Sequence, residues 1–170
     1  GGAMPSDMAE VTLATGGAGL PIAQLAKQAG LVESTSEALR LIDELADFAI
    51  PSLLFSGGEP LMRPDLLRLI EYAAKKNIRP VISTNGTLID RDTAAAIRNA
   101  GVVYAGISLD GMEDVNDSFR GVKGAFKKAM RGFENCRKAG QRVGLRLTLT
   151  KRNYRDLHRI FDFIESEGIN

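Results

Sequence analysis

Apolar residues recur along this chain with two periods. Leu41, Ile42, Leu45 and Phe48 repeat at helical spacing, so the segment from about 35 to 49 predicts an amphipathic helix. Ser34-Thr35-Ser36-Glu37 has the spacing of a capping box at its start. Pro51 ends it, and Leu53-Leu54-Phe55 follows as a short continuous apolar run, the pattern of a buried strand. The alternation then repeats. Pro64 and Asp65 open a helix with Leu66, Leu69, Ile70 and Ala73 on one face, closed by Asn77. Pro80-Val81-Ile82 reads as a strand, Asp90 to Asn99 as a helix ended by Gly101, and Val102 to Ile107 as a strand. A loop from Met112 to Gly124 leads to a helix from Ala125 to Ala139, closed by Gly140. Val143 to Leu149 is the next strand, and Tyr154 to Glu167 a last helix before Gly168. Upstream, Glu10 to Thr15 reads as a first strand, Gly16 to Pro21 as a turn and Ile22 to Gln28 as a short helix closed by Gly30.

The order is therefore βα repeated five times, which predicts an α/β fold with about five parallel strands, outer helices and right-handed crossovers. A curved partial barrel and an open doubly wound sheet both satisfy it, and periodicity does not separate them. Gly1-Gly2-Ala3 before Met4 reads as a cloning remnant, and residues 4–170 as a single domain.

Composition narrows the function classes. The net charge of +1 and the absence of tryptophan argue against a nucleic-acid partner, and no run of apolar residues is long enough to span a membrane. One cysteine, Cys136, excludes an internal disulfide framework; with no secretion signal visible, the expected location is cytoplasmic. Cys136 reads as a small apolar residue packing its helix, and His158 as a surface residue. A dinucleotide-type glycine run from Gly17 would need glycine where Ile22 stands.

Three predicted strands end alike: in Ser56-Gly57-Gly58, in Ser83-Thr84-Asn85-Gly86 and in Ser108-Leu109-Asp110-Gly111. Singly, each reads as turn and cap chemistry. Together they fall on one end of a parallel sheet, where ligands bind, with glycine for close backbone approach and polar groups for hydrogen bonds. Glu59, Asp110 and Asp117 are also acid–base candidates in a different class of enzyme.

Gly57-Gly58-Glu59-Pro60 directly after a strand resembles the GGEP motif of radical S-adenosylmethionine enzymes. Ser83-Thr84-Asn85-Gly86, Ile107 to Gly111, Asn116 to Gly121 and Gly144 to Thr150 follow in that family's order and spacing. The likeness runs from about Ser34 onward and is to the branch that matures haem from sirohaem-type tetrapyrroles, with related peptide-modifying enzymes. It implies a partial six-stranded (β/α) barrel with S-adenosylmethionine at the C-terminal strand ends. By that resemblance, the backbone at Gly57, Gly58 and Glu59, before Pro60, accepts hydrogen bonds from the cofactor's amino group. Ser83, Asn85, Ser108 and Asp110 face its ribose and methionyl end. Arg146 or Arg120 pairs with its carboxylate, and Leu147 or Leu149 lies near the adenine. Arg120 bracing its own loop through Asp117 is the alternative for that residue.

The resemblance also implies a 4Fe-4S cluster on three cysteines in a C-x3-C-x2-C loop after the first strand. Here those positions fall on Thr15, Gly19 and Ile22. The chain also stops at Ile169-Asn170, where a sixth strand is expected, which would leave an edge open to pairing in a homodimer. The expected function is a truncated, cluster-less core that keeps the S-adenosylmethionine loops and is inactive alone. The alternatives are a module for a nucleoside or other small ligand and a purely structural half-barrel.

Overall fold

The computed structural model describes residues 34–169. The predicted strand at Glu10–Thr15, the helix after it and the positions Thr15, Gly19 and Ile22 lie outside them.

Helix α1 (Thr35–Asp47) starts where Ser34 Oγ accepts the Glu37 N–H, as its capping sequence predicts. Strand β1 (Ser52–Phe55) runs into a 3-10 turn (Pro60–Met62) with proline at its first position. There follow α2 (Leu66–Lys75), β2 (Arg79–Thr84), α3 (Arg91–Asn99) and β3 (Tyr104–Ser108). Next come α4 (Glu113–Arg120), α5 (Ala125–Lys138), β4 (Val143–Arg146), a 3-10 turn (Tyr154–Asp156) and α6 (Leu157–Ser166).

The four strands are all parallel, in the order β1-β2-β3-β4. This order separates the two closures left open by periodicity. A doubly wound sheet reverses its order midway to place helices on both faces, whereas a chain that always steps to the next strand with one hand of crossover keeps its helices on one side. Burial agrees. Ile82, Ala105 and Ile107 project to the helix side and are fully buried among Ile70, Ile97, Ala129, Phe133 and Cys136. A smaller cluster, Ile42 with Leu69, Ala73 and Ile78, joins α1 to α2 beside Leu53 and Phe55. The other face carries Leu54, Val81, Ser83, Tyr104, Gly106, Ser108, Gly144 and Arg146 and has no helix on it among the described residues. The result is one side of an α/β barrel wall.

Three sequence expectations need correction. β1 is not buried on both faces: Leu54, on the open face, is 47% exposed. The segment from Met112 to Gly124 is not all loop, because α4 occupies its middle. Its apolar signal is only Val115 and Phe119, and its cap, Met112, makes no side-chain bond. The strand predicted to reach Leu149 stops at Arg146, because its partner β3 stops at Ser108 and side chains take over the ladder, as described below.

Candidate functional site

The four strands deliver their C-terminal ends to one rim. At the end of β1, Gly57 has φ 144, a conformation that side-chain-bearing residues rarely adopt, and a Cβ placed there would meet nothing within 4 Å. Ser56, Gly57 and Gly58 are exposed, so main chain is presented bare at this corner. Pro60 is buried as the first residue of the 3-10 turn.

Glu59 turns its side chain away from the opening and ties two loops together. Its Oε1 accepts from Leu61 N at 3.2 Å and from Thr84 Oγ1 at 2.6 Å, and its Oε2 accepts from Asn85 N at 2.8 Å. Thr84 Oγ1 in turn accepts from Gly86 N at 3.0 Å. Asn85 Oδ1 accepts from Thr87 N and Thr87 Oγ1, the pattern of an Asx turn, which leaves its amide nitrogen without a partner among the described residues.

The open face behind this rim is lined with minimal side chains. Ser83, Gly106 and Gly144 stand in one row across three strands, and Ser108 pairs in register with Arg146. Gly106 makes room for Arg146: a Cβ there would lie 2.4 Å from Arg146 Cδ and 2.8 Å from its Cγ. The Arg146 stem therefore lies over β3, and its guanidinium has no ion-pair or hydrogen-bond partner among the described residues. Leu147 and Leu149 are 36% and 54% exposed just beyond it.

Arg120 is placed differently. It forms an ion pair with Asp110, which is 1% exposed. Asp110 does not face the opening as the sequence suggested: its Oδ1 accepts from Thr148 N at 2.8 Å, and its own N–H donates to Asn116 Oδ1 at 2.9 Å. The alternative contact of Arg120 with Asp117 is also not formed. Asp117 instead caps α5, accepting from Phe126 N at 2.8 Å and from Gly124 N. Those backbone donors, Phe126 first and then Gly124, hold the Asp117 carboxyl below its usual range.

Several residues that organise this rim carried no motif signal. Asn153, 1% exposed, bonds the backbone of Asp110, Thr148 and Thr150. Asp156 accepts from Met112 N at 2.5 Å and from Arg159 Nη1 at 2.9 Å. Thr84 and Asn116, which do stand inside the motifs, serve likewise as internal ties, a role the motifs did not indicate. A hint was the run of polar residues in Thr150 to Asn153 directly before a helical pattern, a cap-like signature.

A cluster does not fit the donors of this chain. Three thiolates are required, and the sequence has one cysteine. Cys136 is fully buried on α5, and burial pushes its thiol up to about 11. His158 is exposed on α6, as expected.

Comparison with known proteins gives relatives in sequence and in fold. The Fe-coproporphyrin III synthase of Methanosarcina barkeri is 55% identical over 136 residues, covering 80% of this chain and 34% of that protein. The AdoMet-dependent heme synthase of Oleidesulfovibrio alaskensis is 43% identical, covering 79% and 35%. The pre-heme d1 synthase of Dinoroseobacter shibae is 36% identical, covering 81% and 34%. The chain thus spans about a third of the length of these curated relatives. Among solved structures, native anSMEcpe with bound AdoMet superposes with a TM-score of 0.66 at 22% identity, over 78% of this chain and 39% of that one. Streptococcus suis SuiB bound to S-adenosylmethionine does so with 0.66 at 21% identity, over 78% and 31%. No helix among the described residues is long and apolar enough to cross a membrane. The model of the Radical SAM superfamily matches residues 25–164, and the chain belongs to that superfamily.

Proposed function

We propose that this chain holds S-adenosylmethionine along the C-terminal ends of β1 to β4, as the cofactor-holding part of an enzyme that modifies a tetrapyrrole. The tetrapyrrole class is taken from the names of the synthases it resembles. One observation carries the cofactor reading: Arg120 is committed to buried Asp110, while Arg146 lies unpaired along the open face in register with Ser108. Of the two arginines suggested for the cofactor's carboxylate, only Arg146 has a guanidinium free among the described residues to bond it through two N–H groups. Bare backbone at Gly57 and Gly58 accepts from the amino group, Ser83, Ser108 and the free amide nitrogen of Asn85 bond the ribose and methionyl end, and Leu147 lies against the adenine. Glu59, Pro60, Asp110 and Arg120 act by holding these groups in place.

In the family, a cluster-bound S-adenosylmethionine supplies a 5′-deoxyadenosyl radical. With one cysteine, this chain alone binds the cofactor without cleaving it. Anaerobic iron–sulfide reconstitution is expected to leave the protein colourless, and a brown protein that cleaves S-adenosylmethionine would overturn that statement.

Calorimetry tests the binding itself. S-adenosylmethionine is expected to bind the unaltered chain, and Arg146→Ala to weaken it on the order of tenfold or more, the effect of losing a charge-assisted pair. An unaltered chain that evolves no heat with S-adenosylmethionine removes the reading. A chain that binds adenosine as well as S-adenosylmethionine, with no effect of Arg146→Ala, is a nucleoside module instead.

A further inference from the structure

We propose that Asn153, which lies beneath the rim and touches no ligand, is the positioning residue that sets the adenine-facing edge of the site through Leu147. β3 ends at Ser108 and β4 at Arg146, yet the chain continues for four residues, Leu147 to Thr150, with no strand beside it among the described residues to hold it. Side chains replace the missing ladder. Asp110 Oδ1 takes the Thr148 N–H at 2.8 Å, and Asn153 Nδ2 donates to Thr148 O at 2.8 Å. The same nitrogen donates to Asp110 O at 2.8 Å, and Asn153 Oδ1 accepts from Thr150 N at 2.7 Å and Thr150 Oγ1 at 3.1 Å. A carboxamide has two N–H donors and two acceptor lone pairs, so all four of its capacities are used.

The consequence falls on Leu147. On one side of it, the Arg146 carbonyl accepts from Leu109 N at 2.9 Å, and the Arg146 stem lies over Gly106. On the other side, both backbone polar groups of Thr148 are bonded by Asp110 and Asn153. Leu147 is thus held between two anchored neighbours and presents an exposed side chain beside Arg146. No other side chain of similar size can make these four bonds, since aspartate lacks both donors and would set a second buried charge beside Asp110.

The inference rests on the proposal that S-adenosylmethionine lies on this rim with its adenine at Leu147. Its test is a double-mutant cycle on S-adenosylmethionine affinity, using Asn153→Asp, Leu147→Ala and the pair. Each single change is expected to weaken binding about five- to tenfold, and the pair to weaken it no more than the stronger single change, because Asn153 acts through Leu147. Losses that multiply assign Asn153 a purely structural role and overturn the inference. Should Asn153→Asp fail to fold, Thr150→Ala, which removes the bond that the Thr150 hydroxyl donates to Asn153 Oδ1 together with the one it accepts from Arg152 N, replaces it in the cycle. If the unaltered chain binds no S-adenosylmethionine, the cofactor reading fails, and amide exchange then decides the positioning claim. Faster exchange confined to Thr148 and Thr150 in the variant supports it, and faster exchange spread over the whole sheet overturns it.

Discussion

The two halves of the rim are held by different means. On the β1–β2 side, a single half-buried carboxylate, Glu59, gathers a hydroxyl and two backbone N–H groups. On the β3–β4 side, Asp110, Asn116, Asn153 and Asp156, all buried, tie strand ends and helix starts into one network closed by Arg120. The difference follows from what lies below. The β1 corner must leave its main chain open and has the short 3-10 turn to anchor it. Beyond β3 and β4 the backbone has lost its ladder, so its polar groups need buried substitutes. The first half trades rigidity for access, and the second is fixed from behind.

The largest expected effect tests the second half. Arg120→Ala leaves the Asp110 carboxylate buried without its cation, at a cost of about 3 kcal/mol, somewhat reduced if water reaches the vacated space. Urea denaturation measures it; a loss below about 1 kcal/mol would mean that the network stands without its charge pair. Glu59→Gln should cost less, about 1–2 kcal/mol, because an amide cannot accept on both sides as the carboxylate does. If it costs as much as Arg120→Ala, the contrast between the halves is lost. Gly106→Ala should cost still less, about 0.5–1 kcal/mol, since the obstructing atoms belong to the flexible Arg146 stem. It should nonetheless weaken S-adenosylmethionine by displacing Arg146, so unchanged affinity would detach that arginine from the site.

The smallest effect lies outside both clamps and serves as a control. The folded pKa of Asp117 is depressed, so its contribution is complete above the unfolded value near pH 4 and is lost as pH falls through the folded one. Stability measured from pH 5 to pH 2 should therefore fall less steeply in Asp117→Asn than in the unaltered chain. Parallel curves would show that this cap contributes nothing.

The same contrast explains what was legible in the sequence. Glu59 stands inside a contiguous motif, and its strand and turn are local, so the strand-to-turn corner was readable from eight residues, while the exposure of Leu54 and the tie from the Glu59 side chain to Thr84 and Asn85 were not. The α/β alternation was readable for the same reason: each strand and helix carries its own period. Asn153 was not readable, because its partners Asp110 and Thr148 come from segments 43 and 5 residues away and only the fold brings them together. Asp110 was legible as polar and glycine-flanked, but not as inward-facing. α4 was missed because two apolar residues carry too little periodicity to declare a helix. The choice between barrel wall and doubly wound sheet needed strand order, which is a property of the pairing and not of any segment.

That strand order has a bearing on how the sheet assembles. Among the described strands, each pairs only with its sequence neighbour, so every such pairing closes a loop of roughly 23–38 residues, and the closure entropies differ by only about half a kcal/mol. Chain connectivity therefore does not choose which pair forms first; burial does. On the helix side, Ile82 on β2 and Ala105 and Ile107 on β3 are fully enclosed, while Leu53 and Phe55 on β1 and Val143 and Leu145 on β4 are only half-buried. Folding accordingly condenses at the β2–β3 seam and spreads to both margins. The two margins that carry bare main chain and the unpaired guanidinium are the last to lock and the first to breathe, which native-state amide exchange would register as slower exchange at Ile82 and Ile107 than at Leu54 and Leu145.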